Sequence, residues 1–232
     1  MIRFGLASAL LAFLSACVTQ VPPPAPGDEG ARRAPRLALP QGPRPRGAEE
    51  AKDAPSPLTP ADQDKLAALK EVQADALFEA LRVMKPSTSE AVTSRAVLTA
   101  APVSFGGAGV VGEYRCRTLK HGGAIGFVVY GYFDCRVTEG PKSLIFEKTS
   151  GSQRMTGRLF AGPGADGRMG LAYAGTQHGA EDAGDTYPEG AAEVGLFERT
   201  GDKRYRLTIP EPGEEGLLDV LDLERVADPD ED

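Results

Sequence analysis

The sequence predicts a mainly β protein: a small antiparallel barrel of about eight strands, preceded by one amphipathic helix and a disordered N-terminal tether. Three observations carry that expectation. From about residue 103 onward, short runs of alternating apolar and polar residues recur, broken by Gly, Asp and Pro turns with no helical period between them. Before them, the stretch from Thr59 to Pro86 repeats apolar residues at spacings of three, four and five. Residues 18–58 show no periodicity and are dominated by Pro, Ala, Gly and Arg.

The first element is a targeting segment. Arg3 supplies a positive start, "FGLASALLAFL" a short apolar run, and "LSAC" follows at once. The run is shorter than the about 20 residues of a membrane-spanning helix and fits a secretory signal. Leu14, Ser15, Ala16 and Cys17 match the bacterial lipobox, in which small residues admit a peptidase and the cysteine becomes the acylated first residue. Residues 1–16 are thus expected to be a lipoprotein signal peptide and Cys17 a lipid anchor; the alternative is an ordinary signal with a chance cysteine. Each buried acyl methylene contributes about 0.8 kcal/mol, and several chains make a firm anchor. Val18 follows Cys17 where Asp would favour the inner membrane. The expected place is the cell envelope, anchored by the N-terminal lipid, with the outer membrane and a periplasmic orientation implied.

Residues 17–58 read as the lipidated cysteine and its linker. As a flexible coil this segment spans about 35 Å, and as extended polyproline about 130 Å. The folded domain is expected over 59–226, with 227–232 an acidic disordered tail. Thr59 is a suitable N-cap, Pro60 suits the first helical position, and Asp62 and Asp64 complement the positive helix end. Leu66, Leu69, Val72, Leu77, Leu81 and Met84 draw one apolar stripe, and Pro86 ends the helix.

Strands are predicted over 111–120, 127–138, 143–149, 153–160, 168–176, 192–199, 204–210 and 217–226. Tight turns such as "TEGP", "TSGS" and "TGDK" separate them, which favours an antiparallel meander. Closure into a lipocalin-like barrel removes the exposed edges such a sheet would leave. Alternation puts Tyr114 and Cys116 on one face of their strand and Phe133, Cys135 and Val137 on one face of the next. A Cys116–Cys135 disulfide is expected from that placement, in keeping with an oxidising compartment. Leu144, Phe146, Met155, Leu159, Met169, Leu171, Tyr173, Tyr205, Leu207 and Ile209 continue the inward set.

"GEYRCRTLK", "YFDCRV", "KTSGSQRMTGRLF", "FERTGDKRYRLTIPEP" and "LLDVLDL" together resemble a bacterial family of exported proteins, many of them lipoproteins, known as domain of unknown function 4893. The resemblance covers roughly 59–226 and is strongest at the two cysteine strands and at "GSQR". It implies the architecture and the compartment and carries no activity. "GEYRC" with a paired cysteine also resembles, more distantly, small lipoprotein lysozyme inhibitors.

Chemistry-bearing clusters are few. Ser152 and Gln153 sit at a turn, with Arg154 and Arg158 following on one strand face. Arginine forks suit carboxylate or phosphate, so these four are the candidate contacts for an anion or a partner. The competing reading is a tight turn whose arginines pair outward with Glu147 or Asp134. His178, Glu181, Asp182 and Asp185 share a Gly-rich loop, but their spacing fits no calcium or zinc frame, and a solvated acidic loop is expected. A Ser152–His178–Asp182 nucleophilic set lacks the strained elbow that such chemistry uses. His121, in "KHGGAIG", is read as part of a turn. No metal, cofactor or catalytic residue is assigned. The net charge of −7 excludes counterion-driven nucleic-acid binding. The expectation is a non-enzymatic, membrane-anchored barrel that binds a small envelope ligand or inhibits an envelope hydrolase. The alternative is a structural or interaction lipoprotein in envelope assembly.

Overall fold

The structure, a computed structural model, describes residues 58–83, 88–105, 109–161, 170–182, 193–212 and 216–226. The leader, Cys17, the tether, Met84, Met169, Asp185 and the acidic tail lie outside them. Three helices come first: α1 (Pro60–Ala67), α2 (Leu69–Val83) and α3 (Ser89–Thr99). Nine strands follow: β1 (Gly112–Gly122), β2 (Gly126–Val129), β3 (Phe133–Glu139), β4 (Leu144–Lys148), β5 (Arg154–Phe160), β6 (Gly170–His178), β7 (Glu193–Arg199), β8 (Arg204–Pro210) and β9 (Leu218–Arg225). From β3 to β9 each strand pairs antiparallel with the next, β1 pairs with β3, and β9 returns to β1. Eight strands therefore close the barrel, and β2 extends the sheet beside the far end of β1.

Two expectations are refined. The strand predicted over 127–138 is split into β2 and β3. Cys116 faces Phe133 and Leu119 faces Val129, so three residues, 130–132, lie opposite two. This is a β-bulge, which bends its strand and re-aims side chains. The Tyr130 N–H still bonds Thr118 O at 2.9 Å. Tyr132 turns outward beneath Arg115 and Arg117, whose guanidinium carbons sit 4.7 and 4.8 Å from its ring centre.

The helical part is also larger than one helix. Thr59 caps α1 as expected: its hydroxyl accepts from Asp62 N at 3.2 Å while Asp62 accepts from Thr59 N at 3.1 Å. The helix then breaks at Ala68, because its two halves serve different walls. Leu58 and Leu66 cover Phe160, Ala172, Ala174 and Val194 on the outside of β5–β7. Leu69, Val72, Ala76 and Leu77 cover Leu119, Leu218 and Val220 outside β1 and β9. Helix α3 has no counterpart in the sequence reading because its buried face is Ala91, Ser94 and Leu98, too polar to draw a stripe. Arg206 on the outer face of β8 holds its end, donating to Val97 O at 2.8 Å, Leu98 O at 3.1 Å and Ala100 O at 3.2 Å. Glu198 neutralises the same guanidinium at 2.6 Å.

The barrel interior is packed, as small barrels usually are. Tyr114, Cys116, Cys135, Val137, Phe146, Met155, Leu159, Leu171, Tyr173, Tyr205, Leu207 and Ile209 form one buried cluster, matching the inward set read from alternation. Cys116 and Cys135 are joined by a disulfide with Cα atoms 5.9 Å apart. Phe105 and Val110, ahead of β1, plug one end: Phe105 stacks on Phe197 with centroids 6.4 Å apart, and Val110 O accepts a bond from the Tyr114 hydroxyl. Among the described residues these side chains fill the centre of the barrel. Outside, the wall carries Arg115, Arg117, Asp134, Arg136 and Glu147, opposite to the apolar outer band of a membrane-spanning barrel.

Candidate functional site

At the end away from the plug, the inward face changes character. Period-two alternation continues the apolar row of β1 to Lys120, of β4 to Lys148, of β6 to Gln177, of β7 to Glu193 and of β9 to Asp219. Five strands thus place a polar side chain in one layer at the mouth. Lys120 and Lys148 are each 5 % exposed, Asp219 2 % and Glu193 7 %. Charge is rarely buried so deeply without structural or functional cause.

A concavity of about 50 Å³ opens within this layer, lined by Thr118, Lys120, Lys148, Gln177 and Asp219, with Tyr130, Phe133 and Met155 as its apolar side. Ser152 and Gln153 form part of its rim. The volume admits a few water molecules or a group the size of a carboxylate, not a whole lipid or sugar. Lys120 and Asp219 face each other across the β1–β9 pair, with Nζ and Oδ2 3.7 Å apart. Lys148 Nζ donates to Ser150 O at 3.0 Å and to Gln153 O, and lies 4.2 Å from the Phe133 ring centre. Burial, and then the charge of Arg154, lower its pKa. These bonds tie the 149–153 turn to the mouth, so Gly151 at φ 89° and the rim residues are positioned by a buried cation.

Glu193 lies behind Gln177, whose Nε2 donates to Oε1 at 2.6 Å. Burial is the chief reason its carboxyl is pushed up to about 7; the Gln177 bond lowers it, Asp219 raises it and Lys120 lowers it. Its Oε2 is buried without a hydrogen-bond partner. Two ammonium groups beside the Asp219 carboxylate and the raised Glu193 carboxyl, amid hydroxyl and amide donors, make the mouth suited to an anion.

Residues 56–223 match the family described as Domain of unknown function (DUF4893). The chain belongs to that family. No curated protein matches it, and no solved structure does either. A DUF4893 domain is therefore, in this chain, a closed eight-stranded barrel with one further strand and preceding helices.

The candidate residues from the sequence divide. Ser152 and Gln153 reach the mouth of this DUF4893 barrel. Arg154 starts β5 on its outer face and donates to Ala180 O at 3.2 Å, and Arg158 lies further along the same face. The expected outward pairing with Glu147 is made instead by Arg136, at 2.7 Å. His178 bonds Thr156 Oγ1 at 3.1 Å and Gly179 O at 2.9 Å, while Asp182 accepts from Gly179 N at 3.1 Å. Ser152, His178 and Asp182 are thus not joined. Among the described residues no group of three His, Cys, Asp or Glu is placed to hold a metal ion.

His121 is not in a turn. It ends the outer face of β1, fully buried, with Nε2 2.7 Å from Ser94 Oγ of α3. Burial pushes its pKa down to about 4. A second concavity, about 330 Å³, runs between α3 and the wall, lined by Val92, Ala96, Val97, Arg117, Arg204 and Asp222. Its charges are largely spent on each other, with Arg117 and Asp222 at 2.9 Å.

Proposed function

We propose that this protein is a lipid-anchored, non-enzymatic envelope protein whose barrel binds a small anionic group at its mouth. The observation that carries the reading is the mouth layer, where Lys120 and Lys148 are buried beside a carboxylate-sized space above a filled core. Asp219 and the backbone carbonyls of Ser150 and Gln153 offset the cost of that burial, and the concavity beside both ammonium groups admits an anionic group as an additional partner. Lipidation at Cys17 and a periplasmic position on the outer membrane rest on the lipobox and on Val18. Inhibition of an envelope hydrolase is the macromolecular form of this reading, with the 149–153 rim presented to the enzyme.

Native mass spectrometry of protein released from its own membranes by mild detergent tests the binding claim. The expected result is a small acidic adduct that is lost in Lys148→Met; bare protein in every preparation would remove it. Cys17→Ser tests the anchor, with soluble protein expected and unchanged membrane binding the contrary result.

A second reading, an interaction lipoprotein of envelope assembly, draws on the helices. Phe78 and Leu81 are 66 % and 50 % exposed on α2, three residues apart and so on one face. Photo-crosslinking from position 78 in cells should capture one envelope protein under this reading, and none under the first.

A further inference from the structure

We propose that the mouth takes its anion as a carboxylate together with a proton, and that Glu193 is the group that holds the proton. This rests on the mouth being an anion site, and it adds both the ligand class and its control.

Glu193 projects from β7 into the layer directly behind the lining residue Gln177. Its neighbours from each packed element are Gln177 and Tyr173 of β6, Asp219 of β9 and Lys120 of β1. Gln177 fixes one oxygen at 2.6 Å. The other, Oε2, is buried with no partner. A buried carboxylate whose oxygen accepts no hydrogen bond is disfavoured, and protonation relieves it. The protonated Oε2 is then a donor in need of an acceptor.

A carboxylate bound in the concavity acts on Glu193 through its charge, across Gln177. Its oxygens face Lys120 and Lys148, and its negative charge works against a second charge on Glu193. Glu193 therefore takes a proton from solvent as the ligand enters, a hydronium O–H bond breaking as the Oε2–H bond forms, and returns it to water as the ligand leaves. By reciprocity, a protonated Glu193 binds the ligand more tightly by the same factor. Burial already pushes the carboxyl up to about 7, so the coupling falls in the neutral range.

The test uses the full chain labelled with ¹³C-carboxyl glutamate, with sodium acetate as probe and sodium chloride at equal ionic strength as control. Acetate should raise the Glu193 midpoint, and its dissociation constant should be at least threefold lower at pH 6 than at pH 8. Glu193→Gln, which mimics the protonated carboxyl, should bind acetate equally at both pH values. Acetate shifting the amides of Thr118, Lys120 and Gln153 with one affinity at both pH values would overturn the proton coupling and leave the anion site standing. No acetate response at the mouth at either pH would remove the anion site, and the coupling with it.

Discussion

Two buried titratable groups on opposite sides of the barrel wall should tilt the dependence of stability on pH in opposite directions. His121, outside, is held near 4 from a usual 6.5, chiefly by burial. In the folded state it stays neutral while the unfolded chain takes up a proton. Stability is thus lost as pH falls from 6.5 towards 4, by about 3 kcal/mol at 1.36 kcal/mol per unit. Glu193, inside, is raised from 4.5 to about 7, again chiefly by burial. Its contribution is complete below 4.5 and is lost as pH rises through 7, also by about 3 kcal/mol. Between about pH 4.5 and 6.5 the two slopes nearly cancel. Urea unfolding across this window, for wild type, Glu193→Gln and His121→Asn, separates them. Glu193→Gln should gain on wild type by about 3 kcal/mol as pH rises through the Glu193 window. His121→Asn should gain by a similar amount as pH falls through the His121 window. Variant-minus-wild-type differences that stay flat within about 0.5 kcal/mol, or slope the other way, would refute the assignment of these groups.

Three further outcomes follow from the packing. Replacing both Cys116 and Cys135 by Ala opens a loop with a sequence separation of 19 and should cost about 3 kcal/mol in urea unfolding, as should reduction of wild type. Lys120→Met removes the ammonium that faces the buried Asp219 carboxylate and should cost about 3–5 kcal/mol, whereas Lys120→Met with Asp219→Leu should cost clearly less. Gly157→Ala would drive a methyl into the Tyr173 ring and to 2.8 Å from Ala174 O, so a thermal melt should show a loss of about 2 kcal/mol or more.

The barrel was legible because its wall obeys the two-residue period. Leu144 and Phe146, or Leu207 and Ile209, announce their face, and Gly-rich turns mark each reversal. The bulge at 130–132 was not legible, since "VVYGYFDC" alternates well enough to pass as one strand, and only pairing with β1 shows three residues against two. Helix α3 escaped because tertiary bonds from Arg206, not an apolar stripe, hold it. The mouth was half visible: "GSQR" drew attention to Ser152 and Gln153. Lys120, Lys148, Gln177, Glu193 and Asp219 are scattered over a hundred residues, and each looks like an ordinary surface residue in its own strand. The signal that reveals them is phase: each continues an inward row, and closure of β9 on β1 brings the five ends together.

The proposed anion site rests on the two buried lysines of the mouth. The most direct measurement is a ¹⁵N backbone NMR titration with acetate, run beside tetramethylammonium as a cation control. Saturable shifts confined to Thr118, Lys120, Ser152, Gln153 and Gln177, seen with acetate alone and lost in Lys148→Met, are predicted. Shifts from both ions alike, or shifts spread evenly over the barrel wall, would contradict it.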